Sequence, residues 1–228
     1  MIALLDLDGT LVDRSAGFAA WARSFADRWS LPDGDHAWLG QLDRTVTQRR
    51  QFFEGVSRRF PQAGPPETIW QGFRAQMPLL TPAFPHVLER LDALRSAGWR
   101  LLVVTNGRTD NQVGKLRRTG IADRVDGWCV SEEAGVAKPD PAIFAAALAR
   151  LGAADGEARW MVGDDPAADI AGGRAAGLRT HWVSHGRPWP VQDLRPERTS
   201  VSPGDALARL AGAPERGRAG ADSQPDVP

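Results

Sequence analysis

The chain has 228 residues, enough for one domain with an insertion or for two modest domains. Its apolar content of 42% and its charged content of 25% are ordinary for a soluble globular protein. Basic and acidic residues number 28 each, so nothing in the charge balance favours a nucleic acid or an anionic membrane as a partner.

Cysteine content and targeting signals limit the class of protein further. Cys129 is the single cysteine, which excludes an internal disulfide and a cysteine-rich zinc site, and its apolar surroundings predict a buried, inert thiol. No apolar run approaches the roughly 20 residues that span a bilayer. Met1 leads directly into a predicted strand without the basic region of a signal peptide, so we expect a cytoplasmic protein.

The first ten residues combine a predicted strand with two acids. Residues 2–5 are apolar without glycine, which predicts a strand buried on both faces of a parallel sheet. Asp6 and Asp8 follow, and in an extended chain their side chains would leave the same side, where they repel unless a cation or proton lies between them. Gly9 permits a tight turn, and Thr10 can tie its hydroxyl into it. The alternative is an ordinary surface turn.

Residues 11 to about 84 lack strand signals and carry aromatic residues at helical spacing. We expect three or four helices, the first capped by Ser15, with prolines such as Pro78 between the segments. The aromatic stripes are expected to form a core. They consist of Phe18, Trp21, Ala22, Phe25 and Trp29, then Phe52, Phe53, Val56 and Phe60, then Ile69, Trp70, Phe73 and Met77.

From about residue 85 helices and strands alternate, which predicts right-handed crossovers and a mostly parallel sheet with helices on both faces. We therefore expect a Rossmann-like α/β fold with an inserted helical domain. The predicted helices are 85–97, 109–119, 142–151, 167–176 and 203–210, and the later strands are 100–105, 128–131, 159–162 and 180–183.

The domain boundaries follow from this change of pattern. We expect an α/β core domain from residues 1–14 and 85–212, and a helical cap domain from residues 15–84. Residues 213–228 contain almost no bulky apolar residue, so we expect a disordered tail.

Polar side chains stand at the ends of four predicted strands, and the carboxyl ends of parallel strands share one edge of a sheet. Several carboxylates, a hydroxyl and an ammonium around one point suit a hard divalent cation such as Mg²⁺ beside a phosphate-sized anion. Taken singly, each could instead be a turn residue or a solvated charge. The residues are Asp6, Asp8, Thr105, Asn106, Lys138, Asp164, Asp165 and Asp169.

In this order and spacing the motifs resemble those of the haloacid dehalogenase (HAD) superfamily. Residues 6–10, Asp-Leu-Asp-Gly-Thr, resemble its first motif and Thr105 its second. Lys138 with Pro139 resembles the third, and residues 163–169 the fourth. The resemblance runs from about residue 2 to residue 183. The helical insert is similar to the family's C1 cap, and the core is similar to the phosphoglycolate phosphatase and pyrimidine nucleotidase branch.

The resemblance implies a Mg²⁺-dependent phosphatase that acts on a small phosphomonoester such as a nucleotide, a sugar phosphate or phosphoglycolate. Asp6 would attack phosphorus and form an aspartyl-phosphate, and Asp8 would protonate the leaving oxygen and later activate water. Mg²⁺ would be held by the Asp6 carboxylate, the main-chain carbonyl of Asp8, and Asp164. The residues that would hold the phosphoryl oxygens are Thr105, Asn106, Gly107 and Lys138.

Two acids of the fourth motif and the two lysines of the chain carry further expectations. Asp169 matches the family's second acid, which either binds the metal or contacts its ligands. Asp165 could do the same, but we expect it to cap the following helix. Only two of the 28 basic residues are lysines, so the lysine at position 138 is an unusual choice in an arginine-rich chain. The other lysine, Lys115, lies on a polar helix, where we expect a solvated side chain.

Other functions of the same fold remain as alternatives. A dehalogenase would need neither a metal nor an acid two residues after the nucleophile, so Asp8 argues against it. A phosphomutase would need a cap that holds the phosphorylated product; the insert has no lysine, but Arg44, Arg49 and Arg50 could grip phosphate. A non-catalytic regulator that binds Mg²⁺ or phosphate is the third alternative. In each case we expect a monomer or a homodimer.

Overall fold

The computed structural model describes residues 1–32, 34–46, 48–154 and 156–212, so the predicted tail at 213–228 lies outside the described residues. Six strands form one sheet: β1 (Ile2–Leu5), β2 (Arg100–Thr105), β3 (Gly127–Val130), β4 (Arg159–Gly163), β5 (Arg179–Val183) and β6 (Arg198–Ser200). The strand order is β3-β2-β1-β4-β5-β6, and every neighbouring pair is parallel.

Helices connect the strands and form the insert. The insert contains α1 (Arg14–Arg28), α2 (Asp35–Thr45), α3 (Arg49–Arg59) and α4 (Pro66–Leu80), with a short 3₁₀ turn at Pro61–Ala63. The remaining helices are α5 (Val87–Ser96), α6 (Thr109–Arg118), α7 (Ser131–Ala134), α8 (Pro141–Arg150), α9 (Gly172–Ala175) and α10 (Pro203–Ala211). A further 3₁₀ turn covers Ala122–Arg124, and a π-helical turn covers Pro166–Ala171.

Strand β1 lies at the centre of the sheet and is buried on both faces, as its apolar run predicts. Ala3 and Leu5 belong to an apolar cluster that includes side chains of α5 and α10. Ile2 and Leu4 point to the opposite face, into a cluster with α8 and the buried Cys129. Helices therefore cover both faces, and the predicted Rossmann-like α/β class is confirmed.

The aromatic stripes of the insert form a third core, in which Phe18, Trp21, Phe52 and Phe73 pack ring against ring. The predicted cap at Ser15 is wrong, because Asp13 accepts the hydrogen bond from the Ala16 amide and begins α1. Pro78 was expected between helices but lies inside α4. The four helices of the insert agree with the predicted three or four, but α2 was not located in the sequence, and β6 was not predicted.

The two junctions between the insert and the core pair with each other. The amide of Asp13 donates to the carbonyl of Pro82 across 2.8 Å, and the amide of Phe84 donates to the carbonyl of Leu11 across 3.0 Å. These bonds hold the two junctions together beside the first acidic motif. Within the described ranges, no helix is both long enough and apolar enough to cross a bilayer.

Candidate active site

The carboxyl edge of the sheet brings together most of the predicted residues. Asp6 follows β1, Thr105 ends β2, and Asp164 follows β4, while Lys138 enters from the loop between α7 and α8. Asp6, Thr105 and Lys138 are buried, which is costly for a charged group unless it is paired.

Lys138 holds the centre of the site, with only 2% of its side chain exposed. Its ammonium lies 2.6 Å from Asp6 Oδ1, 2.7 Å from Asp169 Oδ1 and 2.7 Å from the carbonyl oxygen of Val104. Burial alone would lower the pKa of Lys138, but the charges of Asp169 and Asp6 outweigh it and raise that pKa. Three acceptors match the three N–H groups of an ammonium, so Lys138 orients both acids. The motif predicts that Lys138 also binds a phosphoryl oxygen. For that, one N–H group of Lys138 would have to be shared between the phosphoryl oxygen and one of these three acceptors.

Asp6, Asp164 and Asp169 each offer a carboxylate oxygen, and these oxygens lie within 4.8 Å of one another. Burial and the charge of Asp6 raise the pKa of Asp164 to about 6. Burial also raises the pKa of Asp169, against the opposing charge of Lys138. Acids that resist ionisation because they are buried together fit a site for a hard divalent cation.

Two glycines allow this close approach. A Cβ on Gly9, whose φ is +86°, would lie 2.7 Å from Asp164 Oδ1. A Cβ on Gly163 would lie 2.1 Å from Asp169 Oδ2. Any other residue would push these carboxylates out of the cluster, so the glycines shape the site. The predicted tie of the Thr10 hydroxyl into the turn is wrong, because Thr10 Oγ1 is buried and finds no hydrogen-bond partner among the described residues.

The Asp8 carboxylate does not belong to the cluster formed by Asp6, Asp164 and Asp169. Lys115 Nζ lies 2.7 Å from both of its oxygens, and Gln112 Nε2 donates to Asp8 Oδ2 across 2.9 Å. Burial alone would raise the pKa of Asp8, but Lys115 and Gln112 outweigh it, and that pKa lies below its ordinary value.

The expectation that Lys115 is solvated is wrong, because its side chain is only 4% exposed. The inward face of α6 is polar and contacts the site, so a polar helix need not be a surface helix. Lys115 also donates to Gln112 Oε1 across 2.8 Å, and Gln112 donates to Thr105 Oγ1. The available signals were the rarity of lysine and the i, i+3 spacing of Gln112 and Lys115, which puts both on one helix face.

Asn106 and Gly107 lie beside the acids but already have partners. Asn106 exchanges two 2.9 Å hydrogen bonds with the backbone of Lys138, one through Nδ2 and one through Oδ1. The amide of Gly107 donates to Ser131 Oγ across 2.9 Å. Asn106 therefore fixes the loop that carries Lys138, which ties the second motif to the third. Phosphate binding by Asn106 and Gly107 stays a prediction.

The fourth motif divides its acids between two tasks. Asp165 is exposed and accepts hydrogen bonds from the amides of Ala167 and Ala168, which supports the predicted cap, here on a π-helical turn. Asp169 is buried, with Oδ1 beside Lys138 and Oδ2 accepting from the amide of Asp165. Asp169 Oδ1 makes an ion pair with Lys138 but no hydrogen bond to any described residue, so Asp169 both supports the site and remains a candidate ligand.

Sequence reasoning missed the segment after β5. Arg187 Nη2 lies 3.0 Å from Asp164 Oδ2 and 2.8 Å from the Asp164 carbonyl oxygen. His185 Nε2 donates to the carbonyl oxygen of Gly9 across 2.6 Å. This segment therefore holds the first and fourth motifs together.

A cavity of about 420 Å³ lies between the insert and the core, large enough for a small metabolite. Asp8, Asn106 and Gly107 line its core side, and Trp70 and Phe73 line its cap side. The insert closes over the core through a salt bridge of 2.6 Å between Arg74 and Asp110. A hydrogen bond of 3.0 Å from Asn111 Nδ2 to the carbonyl oxygen of Arg74 adds to that contact.

Comparison with known proteins identifies close similarities. A family model for haloacid dehalogenase-like hydrolases matches residues 1–177. A phosphoserine phosphatase from Thermus thermophilus is 40% identical over 201 residues, which cover 83% of this chain and 75% of that relative. The pyrimidine 5'-nucleotidase YjjG from Escherichia coli is 37% identical over 126 residues, about half of each protein (55% and 56%). The magnesium-bound HAD-hydrolase YfnB from Bacillus subtilis shares the fold, with TM-score 0.79, 21% identity and coverage of 92% and 97%.

Proposed function

The chain belongs to the haloacid dehalogenase-like hydrolases and is a phosphatase of that family, and we propose that it hydrolyses small phosphomonoesters with Mg²⁺ as cofactor. One observation carries the proposal: Asp6 lies in a cluster with Asp164, Asp169 and Lys138, and a second acid follows at Asp8. The names of the relatives, phosphoserine phosphatase and pyrimidine 5'-nucleotidase, support a small phosphorylated metabolite as substrate.

In this proposal Asp6 is the nucleophile. Lys138 binds Asp6 Oδ1 and fixes the side chain, and no described residue donates a hydrogen bond to Oδ2. Attack by this oxygen would form a bond to phosphorus as the bond to the leaving oxygen breaks, and an aspartyl-phosphate would result. Water would then attack the same phosphorus and release inorganic phosphate, restoring the Asp6 carboxylate.

Asp8 is the proposed acid and base. It would give a proton to the leaving oxygen in the first step and take one from the attacking water in the second. The contact with Lys115 keeps Asp8 ionised in this arrangement, which is the state that the second step needs. Protonation of Asp8 for the first step would have to accompany substrate binding.

Mg²⁺ would be held by Asp6 and Asp164, together with the main-chain carbonyl of Asp8, while Asp169 remains on Lys138. The bound ion would neutralise charge on the phosphoryl oxygens and so lower the barrier to attack. The Thr105 hydroxyl accepts from Gln112 and keeps its own hydrogen for a phosphoryl oxygen. Phosphate monoesters are very inert, so stabilisation from several directions is needed.

Phosphate release from p-nitrophenyl phosphate, with Mg²⁺ and with EDTA, tests the proposal. We expect turnover that requires the metal and is abolished by Asp6→Asn, because an amide is neither a nucleophile nor an anionic ligand. Asp165→Asn is the matched control, because Asp165 is exposed and its capping role can be taken by asparagine. Residual Asp6→Asn activity above about 1% of wild type, with deamidation excluded by mass spectrometry, would refute the nucleophile; the expected loss is the far larger one typical of catalytic groups.

A further inference from the structure

Two arginines of the insert share one carboxylate beside the cavity. Arg14 Nη1 and Nη2 donate to the two oxygens of Asp43 across 2.9 and 2.8 Å, and Arg49 Nη1 donates to Asp43 Oδ1 across 2.7 Å. The Asp43 side chain is only 9% exposed. Both arginines line the same cavity as Asp8.

The charged residues that line the cavity, counted with their ion-pair partners, have one positive charge in excess. Asp8 is paired with Lys115, and Arg108 is paired with Glu132 across 2.9 Å. The two guanidinium groups of Arg14 and Arg49, in contrast, have only the single carboxylate of Asp43 between them. Within the described residues no other acid pairs with either arginine.

Arg49 has donors left for a ligand. Arg14 uses both terminal nitrogens on Asp43, whereas Arg49 uses only Nη1, and its Nε and Nη2 make no hydrogen bond to any described residue. A guanidinium edge with two N–H groups binds a carboxylate or phosphate in the bidentate manner.

The surroundings of Arg49 favour an added anion. Its guanidinium carbon lies 5.8 Å from the centroid of Phe73, which together with Trp70 gives the cavity an apolar wall. Burial and the neighbouring charge of Arg14 lower the pKa of Arg49, although Asp43 opposes this. A second negative charge in the cavity would relieve this repulsion.

We propose that Arg49, steadied by Asp43 and Arg14, binds a second anionic group on the leaving portion of the substrate, so that preferred substrates carry a carboxylate or a second phosphate. The inference rests on the proposed function, because it concerns the substrate of the same site. It excludes simple alkyl phosphates and uncharged sugar monophosphates from the preferred class. Asp8 and Arg49 line the same cavity of about 420 Å³, which suits a small leaving group.

Matched substrates test the inference in the full-length, Mg²⁺-loaded enzyme. For the carboxylate, kcat/KM for phosphoglycolate is compared with that for its uncharged amide. For the phosphate, propane-1,3-diol bisphosphate is compared with the monophosphate. We expect at least a tenfold preference for the charged member of one pair, and the pair that shows it identifies the anion.

Arg49→Gln should lower kcat/KM at least tenfold for the preferred charged substrate and change p-nitrophenyl phosphate hydrolysis less than threefold. Arg49→Lys should restore part of the loss. Arg50→Gln is the matched control, because Arg50 is on the same helix but 90% exposed and paired with Glu54. It should leave all substrates unchanged.

The outcomes separate the two proposals. If p-nitrophenyl phosphate is hydrolysed but neither pair shows a preference, or if Arg49→Gln slows all substrates equally, the anion subsite is wrong and the phosphatase stands. If no phosphomonoester is hydrolysed, the proposed function fails and the subsite with it. Should Arg49→Gln not fold, the wild-type preference and Arg49→Lys decide the question.

Discussion

Lys115 Nζ lies 2.7 Å from both carboxylate oxygens of Asp8, although the two residues are 107 positions apart in the chain. The pair joins α6 to the turn after β1, beneath the cavity. Because Lys138 contacts Asp6, each lysine of the chain is committed to one of the two acids of the first motif. In a chain with 28 basic residues of which only two are lysines, this use indicates a need for a compact charge at both places.

Replacing Lys115 with arginine should therefore impair the enzyme. The Lys115 side chain is only 4% exposed, so its surroundings leave little room for a larger group. A planar guanidinium cannot bind Asp8 and Gln112 in the geometry of an ammonium. We expect at least a tenfold fall in kcat/KM, about 1.4 kcal/mol of transition-state stabilisation. The control is Arg117→Lys, an exchange of the same two residue types at an exposed position of α6. Equal, near-wild-type rates in both variants would remove Lys115 from the site.

Asp8→Asn tests proton transfer. The amide cannot give or take a proton, so we expect a loss of about 10²–10⁴ in rate on an alkyl phosphate. The loss should be smaller on p-nitrophenyl phosphate, whose leaving group needs less protonation. Binding of Mg²⁺, followed by its effect on the melting temperature, should be little changed because the Asp8 carboxylate lies outside the acidic cluster. An equal loss on both substrates, with phosphorylation rate-limiting, would count against Asp8 as the acid.

Local patterns were enough to predict the sheet and the strand-end residues. Apolar runs such as residues 2–5 and 100–105 mark buried strands, and parallel topology then places Asp6, Thr105 and Asp164 at one edge. Short-range spacing could not show partners that meet only through tertiary packing. Lys115 on Asp8 is one such partner, and Arg187 on Asp164 is another.

The contacts made by the arginines of the insert could not be predicted either, because they too depend on tertiary packing. Arg44, Arg49 and Arg50 looked equivalent as anion-binding candidates in the sequence. In the structure their surroundings differ, because the orientation of α2 and α3 places Arg49 against Asp43 and the cavity and leaves Arg50 exposed. Helix α2, which carries Asp43, was not located in the sequence because its apolar stripe is short and its only buried apolar residue is Leu39.

Asp164→Asn should change the pH dependence of stability in metal-free protein. The pKa of Asp164 is raised to about 6, so between about pH 4 and pH 6 the folded state binds a proton that the unfolded state has lost. The free energy of unfolding therefore falls as pH rises through this window, by up to about 3 kcal/mol for this group. Asparagine removes that dependence.

In EDTA the variant should melt several degrees above wild type at pH 7.5, and the difference should shrink at pH 4, where the wild-type acid is protonated. Mg²⁺ should raise the melting temperature of wild type and of the Asp165→Asn control at pH 7.5, but not that of Asp164→Asn. A full Mg²⁺ response in Asp164→Asn would show that Asp164 is not a ligand.

Lys138→Arg examines the centre of the site. Its ammonium meets Asp6 Oδ1, Asp169 Oδ1 and the Val104 carbonyl oxygen within 2.7 Å, and a guanidinium cannot direct three N–H groups from one nitrogen to these acceptors. Since arginine keeps the positive charge, any loss of activity in this variant results from the changed geometry of the donor group. We expect kcat/KM to fall at least tenfold, with far-UV circular dichroism to confirm folding and Arg117→Lys as the control. Near-wild-type turnover would mean that positive charge alone positions Asp6, and the ammonium would have no special role.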